Sequence, residues 1–333
     1  MNGKPAILTN MAFWQSGAWT AATTSIYPME GRASDPEVLS PWREAWLLFR
    51  QRARFDAVVT MGTRATLAYG LLCAVAGADS KQIFTEVFID DAKPGSFFWR
   101  MKAAAFRLVA RRAIGVLTNS SMEVETNAAR FRLPLERVRF VPMHSNIPFA
   151  EPSAADGGYV LSAGRTLRDY ATLLAAASRI ESRIAIVCGR DDLAGVKMPA
   201  NVEILREIPR DVYLEKLRRC SLVALPLLPT ERSTGQVVVL EAMALGKPVV
   251  ATRSPGTIDL IRDRENGRLV PPLNAEALAA AVNDLLARKS FAAELAARAR
   301  ADVTQSRTFD LHAEEKLRAI ADLLDLRRSE SQR

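Results

Sequence analysis

Residues Pro229–Thr252, PTERSTGQVVVLEAMALGKPVVAT, decide the fold. A polar loop over Thr230–Gln236 runs into a short apolar helix, a Gly-Lys-Pro stop and a β-branched strand. Ser233 or Thr234 is placed to cap the helix, and Gly235 lets a ligand approach its first turn. Gly246 suits the position just past a helix end, and Pro248 cannot continue the helix. One carboxylate, Glu241, stands among Val237, Val238, Val239, Leu240, Ala242 and Met243. An acid with so few polar neighbours faces either a cleft or a buried partner. A helix start carries unsatisfied N–H groups and the positive end of the dipole, so it is suited to phosphate. Together these features suggest an anionic ligand with a hydroxyl-rich part. Loop–helix–strand units of this kind occur in many α/β proteins, so the pattern alone leaves function open.

Working outward, 333 residues are enough for a full core and favour two domains. Hydrophobic residues make up 49% and charged residues 25%, the balance of a soluble globular chain. No apolar run is long enough to span a bilayer, and the start, MNGKPAILTN, lacks a signal-peptide core. Cys73, Cys188 and Cys220 are scattered in apolar settings and read as buried thiols of a reducing compartment. With only His144 and His312, a histidine-rich metal site is excluded. The net charge is +8, and residues 1–150 hold 18 Lys and Arg against 12 Asp and Glu. That bias suggests an anionic partner for the first half, such as a membrane surface, a lipid phosphate or nucleic acid. A solvated basic face accounts for it equally well.

The first half alternates strands and helices. Lys4–Thr9 reads as a strand, followed by a loop with a Ser16-Gly17 turn between Trp14 and Trp19. Such a loop lies at the carboxyl edge of an α/β sheet, where ligands bind, although it lacks the full glycine fingerprint. Pro36–Arg54 reads as a helix with Trp42, Trp46 and Phe49 inward. Asp56–Met61 is a buried strand, Thr63–Ala76 a helix, and Lys81–Asp91 a strand ending in acids. Ile114–Asn119 and Arg137–Pro142 are further strands, with a short helix from Ser120 between them. The order implies a parallel sheet with helices on both faces. Phe97–Gly115 holds Arg100, Lys102, Arg107, Arg111 and Arg112 and no acid. At helical spacing Arg100, Arg107 and Arg111 share a face opposite Phe98, Ala105 and Val109. A basic amphipathic helix with aromatic ends suits an anionic membrane, or simply covers the sheet with a basic outer stripe.

Met143–Gly158, rich in Pro, Ala and Gly, reads as a linker. A second α/β series follows: strands at Tyr159–Ala163, Arg183–Cys188, Val202–Leu205 and Ser221–Pro226, with helices from about Asp169 and over Asp211–Arg219. Beyond the opening stretch come a helix from Pro255, a strand near Leu269, a helix over Asn274–Ala287, and helices at about 290–301 and 309–327. The final RRSESQR reads as a frayed tail.

YVLSAGRTLRDYATLLAAA, RIAIVCG, LVALPLL, the opening stretch from Ser233, and SPGTIDLIRDRENGRLVPPLNAEALAAAV stand in series from about 158 to 287. In this order and spacing they resemble the retaining nucleotide-sugar glycosyltransferases of family four. That resemblance implies an α/β GT-B fold, two Rossmann-like domains facing each other across a cleft. It divides the chain into an acceptor-binding domain over 1–145, a linker over 146–158 and a nucleotide-sugar-binding domain over 159–306. A last helix within 307–333 is expected to pack back on the first domain. The first half matches in outline only, through NSSMEVETNAARFRLPLERVRFVP.

Residue by residue, the resemblance puts Gly164 and the diphosphate-binding Arg165 after the first strand of the second domain. It puts the second basic partner at Arg168. Two cations there neutralise a diphosphate and stabilise it as leaving group; a surface pair of Arg168 with Asp169 or Glu181 is the alternative. Glu241 matches the acid that accepts the donor ribose hydroxyls. The amides from Gly235 to Val237, Gln236 included, would hold phosphate and sugar, with Ser233 and Thr234 also on the donor-binding side. Arg206–Ile208 falls where the nucleobase packs. Two positions depart from the family. Ser233 stands where the first acid of the E-x7-E motif is found, with Glu231 two positions earlier, so donor identity is open. No histidine follows the third or fourth strand, where IFTEVFIDD offers Glu86, Asp90 and Asp91 instead. Glu86 is placed to orient the acceptor hydroxyl or act as a base, or else binds backbone or a basic neighbour.

The resemblance implies a glycosyltransferase, expected to be cytoplasmic, with Phe97–Gly115 as a candidate contact to the inner face of a membrane. It would need no metal or other cofactor and would move a sugar from a nucleoside diphosphate donor to a glycan or lipid-linked acceptor. Retention follows from the resemblance alone. Ser16 and Gly17 are the candidate acceptor or phosphate loop, and no nucleic-acid partner is expected. The alternatives are a catalytically silent nucleotide-sugar-binding protein and an epimerase of the same fold.

Overall fold

The computed structural model describes residues 5–11, 13, 15–27, 39–89, 96–147 and 156–332. Trp14, Asp90, Asp91 and residues 148–155 of the expected linker lie outside the described residues. The chain divides into two compact units, Met1–Pro142 with Phe309–Arg333, and Met143–Thr308.

The first unit begins with β1 (Ile7–Thr9), α1 (Gly17–Ala22) and β2 (Thr23–Ser25). It continues with α2 (Pro41–Gln51), β3 (Ala57–Met61), α3 (Thr63–Val75), β4 (Gln82–Thr85) and α4 (Phe97–Ala110). β5 (Gly115–Thr118), α5 (Glu123–Phe131) and β6 (Val138–Phe140) follow. The six strands form a parallel sheet in the order β2-β1-β3-β4-β5-β6. α1 and β2 occupy the stretch expected to be a loop. Ser16 caps α1 by accepting a hydrogen bond from the Trp19 amide, and Trp19 fills the core.

The second unit runs β7 (Tyr159–Ala163), α6 (Tyr170–Ala177), β8 (Arg183–Cys188), β9 (Val202–Arg206) and α7 (Arg210–Arg219). Then come β10 (Leu222–Leu225), α8 (Gln236–Ala244), β11 (Val249–Thr252), β12 (Arg268–Val270), α9 (Ala275–Ala287) and α10 (Lys289–Ser306). Its parallel sheet has the order β12-β11-β10-β7-β8-β9. Alternate strand residues face opposite cores, as period-two side chains must. Leu161, Val223 and Val249 pack with α8, while Val160, Leu222 and Val250 pack with α6 and α9. α8 is apolar nearly all round and is buried accordingly. It ends as its sequence requires: the Lys247 amide donates to the Ala242 carbonyl and the Gly246 amide to Met243, with Gly246 at φ +68. A glycine takes that left-handed turn without the penalty a side chain incurs.

The last helix, α11 (Phe309–Ser331), belongs to the first unit, where Ala313, Ile320 and Leu323 pack beside Ile83 and Leu117. It runs through most of the segment expected to fray. The residues after Pro255 form turns, not a helix. β4 stops at Thr85 because Glu86 enters the left-handed region at φ +52. Two expected burial patterns hold only in part: Phe49 and Val109 pack inward, but their expected companions do not. Trp42 and Trp46 are exposed, because α2 buries Glu44, Ala45 and Leu48 instead, and the Glu44 carboxylate accepts hydrogen bonds from Asn10 and Tyr27. On α4 the buried set is Ala103, Phe106, Val109 and Ala110, which leaves Phe98 in solvent.

Candidate functional site

In the second unit the carboxyl ends of β7, β8 and β9 and the start of α8 border one cavity of about 350 Å³. Parallel sheets bind ligands at this edge, because the loops there are free to diverge. Gly164, Arg165, Ile208, Val237 and Glu241 line it together with Glu207, Arg210 and Tyr213. Arg165 is largely exposed, and its guanidinium meets the Glu207 carboxylate at 3.2 Å. Glu207 is itself fixed: its backbone sits at φ +50, and its second oxygen accepts from the Arg190 amide at 3.1 Å.

Arg168 lies beneath this rim. Its Nε donates to the Ala163 carbonyl at 2.7 Å and Nη1 to the Thr166 carbonyl at 2.8 Å. Nη1 also reaches Thr234 Oγ1 at 3.4 Å, so these oxygens, and not the carboxylates of Asp169 or Glu181, receive its hydrogen bonds. Burial pushes the guanidinium below its ordinary value, against weaker opposing effects of Tyr170 and Tyr213. The guanidinium occupies the space over Gly164, where a Cβ would come within 2.2 Å of Nη2. Only a glycine permits that approach.

α8 is capped at Gly235, at φ +82, and not at Ser233 or Thr234. The Thr234 hydroxyl donates instead to the Thr166 carbonyl at 3.3 Å, tying the α8 entry to the loop after β7. Ser233, Thr234 and Gln236 are buried beside the cavity rather than in its lining. The first-turn amides of Val237 and Val238 lack intrahelical acceptors, and their residues border the cavity.

Glu241 borders the cavity yet exposes none of its own surface. Arg210 Nη2 donates to Oε1 at 2.5 Å and the Tyr213 hydroxyl to Oε2 at 2.8 Å. Burial, then the Glu241 charge, raise the Tyr213 hydroxyl well above its ordinary value, so it stays a donor. The hydrogen bond from Arg210 raises that guanidinium in turn. A carboxylate has about four acceptor positions, so two donors leave capacity for ligand hydroxyls. Arg210 and Tyr213 were not singled out in the sequence. Their spacing at the start of α7, just after Pro209, is the one local signal. Gly256 was missed as well: a Cβ there would lie 1.9 Å from the Thr234 carbonyl oxygen, so its loop packs directly on the α8 entry.

In the first unit Glu86 follows β4 with its side chain 25% exposed, and Oε1 stands 3.7 Å from Lys316 Nζ. Of its two sequence readings, the basic neighbour is present. Ser16 is fully buried as the α1 cap, and Gly17 is exposed at the first position of that six-residue helix.

Residues 158–288 match the family model described as Glycosyl transferases group 1. A 61-residue segment is 44% identical to the lipopolysaccharide core biosynthesis glycosyltransferase LpsE of Rhizobium meliloti, covering 18% of each chain. The curated relatives are matched over only 5% to 18% of their own length. Sucrose-phosphate synthase from Thermosynechococcus elongatus superimposes with a TM-score of 0.73 at 17% identity, covering 97% of this chain and 100% of that one. Anabaena HepE in complex with UDP gives 0.68 at 15% identity, covering 95% and 99%. At such identities the likeness establishes fold. The chain thus has the GT-B fold, and its second unit carries a glycosyl transferases group 1 domain.

Proposed function

We propose that the protein is a glycosyltransferase whose second unit binds a nucleoside diphosphate sugar at the cavity around Arg165, Ile208, Val237 and Glu241. One observation carries this reading: in a glycosyl transferases group 1 domain, a surface cation, first-turn amides and a buried acid border the same cavity at the carboxyl edge of the sheet. Arg165 and the α8 amides have the chemistry to hold a diphosphate and stabilise it as it departs, with Arg168 adding charge from below. Ile208 offers an apolar surface to the base. Glu241 accepts the ribose hydroxyls once the Arg210 guanidinium moves aside; that side chain is 53% exposed and has room to do so. A uridine nucleotide is the first to test, because related structures carry UDP and UDP-glucose.

The first unit takes the acceptor, a glycan or lipid-linked sugar, with Glu86 orienting its hydroxyl. The reaction retains anomeric configuration and requires no metal. α4 supplies a peripheral membrane contact at an anionic, cytoplasmic face: Phe97, Phe98 and Met101 are exposed beside Arg100 and Lys102, and Trp42 and Trp46 are exposed in the same helical layer. No helix among the described residues is long and apolar enough to cross a membrane. Flotation with anionic vesicles at low salt checks the contact; absence of binding there removes it.

A thermal-shift screen of UDP-, GDP- and ADP-sugars tests the donor site, since a ligand selective for the native state raises its melting temperature. No shift with any of the three overturns the assignment. Ser233, in place of an acid, favours a second reading, a silent binding protein; release of free nucleotide on turnover separates the two.

A further inference from the structure

Lys316 is fully buried on α11, a location lysine avoids unless it is paired. Its Nζ lies 3.7 Å from Glu86 Oε1, 3.4 Å from Thr85 Oγ1 and 5.0 Å from the centre of the Phe13 ring. The surrounding strands and α1 contribute Ile7, Val59, Ile83, Leu117 and Trp19, all apolar. Among the described residues the titratable neighbours are Glu86 and, one turn earlier on α11, His312. The His312 ring packs on Phe13 at 5.8 Å, and its Nδ1 faces the Pro142 carbonyl at 2.6 Å. The full charge opposite Lys316 is therefore that of Glu86.

We propose that Lys316 is a positioning residue: from α11 its ammonium holds the Glu86 carboxylate in place at the carboxyl edge of the first sheet. The inference rests on the reading of Glu86 as the residue that orients the acceptor. A helix needing only to cover the sheet would carry an apolar residue here, as it does at Ile320 and Leu323. Replacing a buried ion pair by packed apolar groups is often neutral or stabilising, so stability alone does not account for the charge. The geometry accounts for it. Glu86 sits in a left-handed backbone conformation, gives Oε1 to Lys316 and keeps a quarter of its side chain open to solvent. A carboxylate held on one side and open on the other suits a hydroxyl arriving from solvent. Lys316 itself exposes no surface, so it acts through Glu86.

Burial pushes the Lys316 ammonium below its ordinary value, and Glu86 opposes the shift. The pair is lost as pH rises through the lowered lysine value. In protein labelled with ¹³C at lysine Cε, with the resonance assigned by a Lys316 variant, the wild type should titrate below the ordinary lysine midpoint. Glu86→Gln, which removes the counter-charge, should lower that midpoint further; an unmoved midpoint overturns the inference. In the second arm, UDP release from UDP-glucose is followed against pH. Lys316→Met should lower kcat by about tenfold or more, as misplaced groups do, with KM nearly unchanged. Lys316→Arg should recover part of the loss and carry turnover to higher pH, because a guanidinium does not deprotonate there. A folded Lys316→Met with normal kcat overturns the inference alone when Glu86→Gln is slow. Normal turnover of Glu86→Gln overturns the Glu86 reading and this inference with it. If Lys316→Met does not fold, the titration arm decides.

Discussion

Replacing Glu241 by alanine strips two donors of their acceptor at once, and the structure says how unequal the consequences are. The Tyr213 hydroxyl is buried, so losing its partner costs about 1–3 kcal/mol. The Arg210 side chain is 53% exposed and turns to water, so the larger cost of stranding a buried charge does not fall on it. Removing the side chain also leaves a small void, adding about 1 kcal/mol. The sum is about 2–4 kcal/mol, a fall in melting temperature of roughly 4–16 °C for a unit of this size. Glu241→Gln keeps an acceptor for Tyr213 and should lose only about 1 kcal/mol. Urea unfolding measures both, and the midpoint should move while the slope stays constant. Both variants should remain folded and bind nucleotide sugar more weakly than wild type. An alanine variant within about 0.5 kcal/mol of wild type, the range of an ordinary surface change, would refute the idea that Arg210 and Tyr213 hold this carboxylate.

Arg210→Ala should tighten nucleotide-sugar binding while lowering stability, since it uncovers Glu241; calorimetry showing weaker binding would assign Arg210 to the ligand instead. Gly256→Ala should destabilise by about 1–3 kcal/mol or more through the backbone clash with Thr234, measured by thermal melting. Burial pushes the Cys220 thiol up to about 12 and raises Cys73 and Cys188, so none should react quickly with a thiol reagent at pH 8 until the protein unfolds. EDTA should leave nucleotide release unchanged; its abolition would contradict the metal-independent reading.

Much of the second unit is legible locally. The apolar runs Tyr159–Ala163 and Arg183–Cys188 are the strands at their full extent, and Gly246 ends α8 through its own backbone. The errors come where distant residues decide. The face α2 presents follows from Glu44 meeting Asn10 and Tyr27, whose approach is set by the sheet. β4 is shorter than its apolar run because Glu86 turns the chain. The partners of Glu241 sit on α7, 28 and 31 residues away, and no spacing rule joins them to it. Lys316 is still further from Glu86 in the chain, and only packing of α11 on the first sheet brings them together.

The central claim is that the cavity at the carboxyl edge of the second sheet is the donor site. A structure of the full chain with UDP-glucose tests it most directly. The diphosphate should lie within hydrogen-bond distance of Arg165 and the Val237 amide, the ribose at Glu241 and the base against Ile208. A nucleotide bound elsewhere, or a diphosphate contacting neither Arg165 nor the first turn of α8, would contradict it.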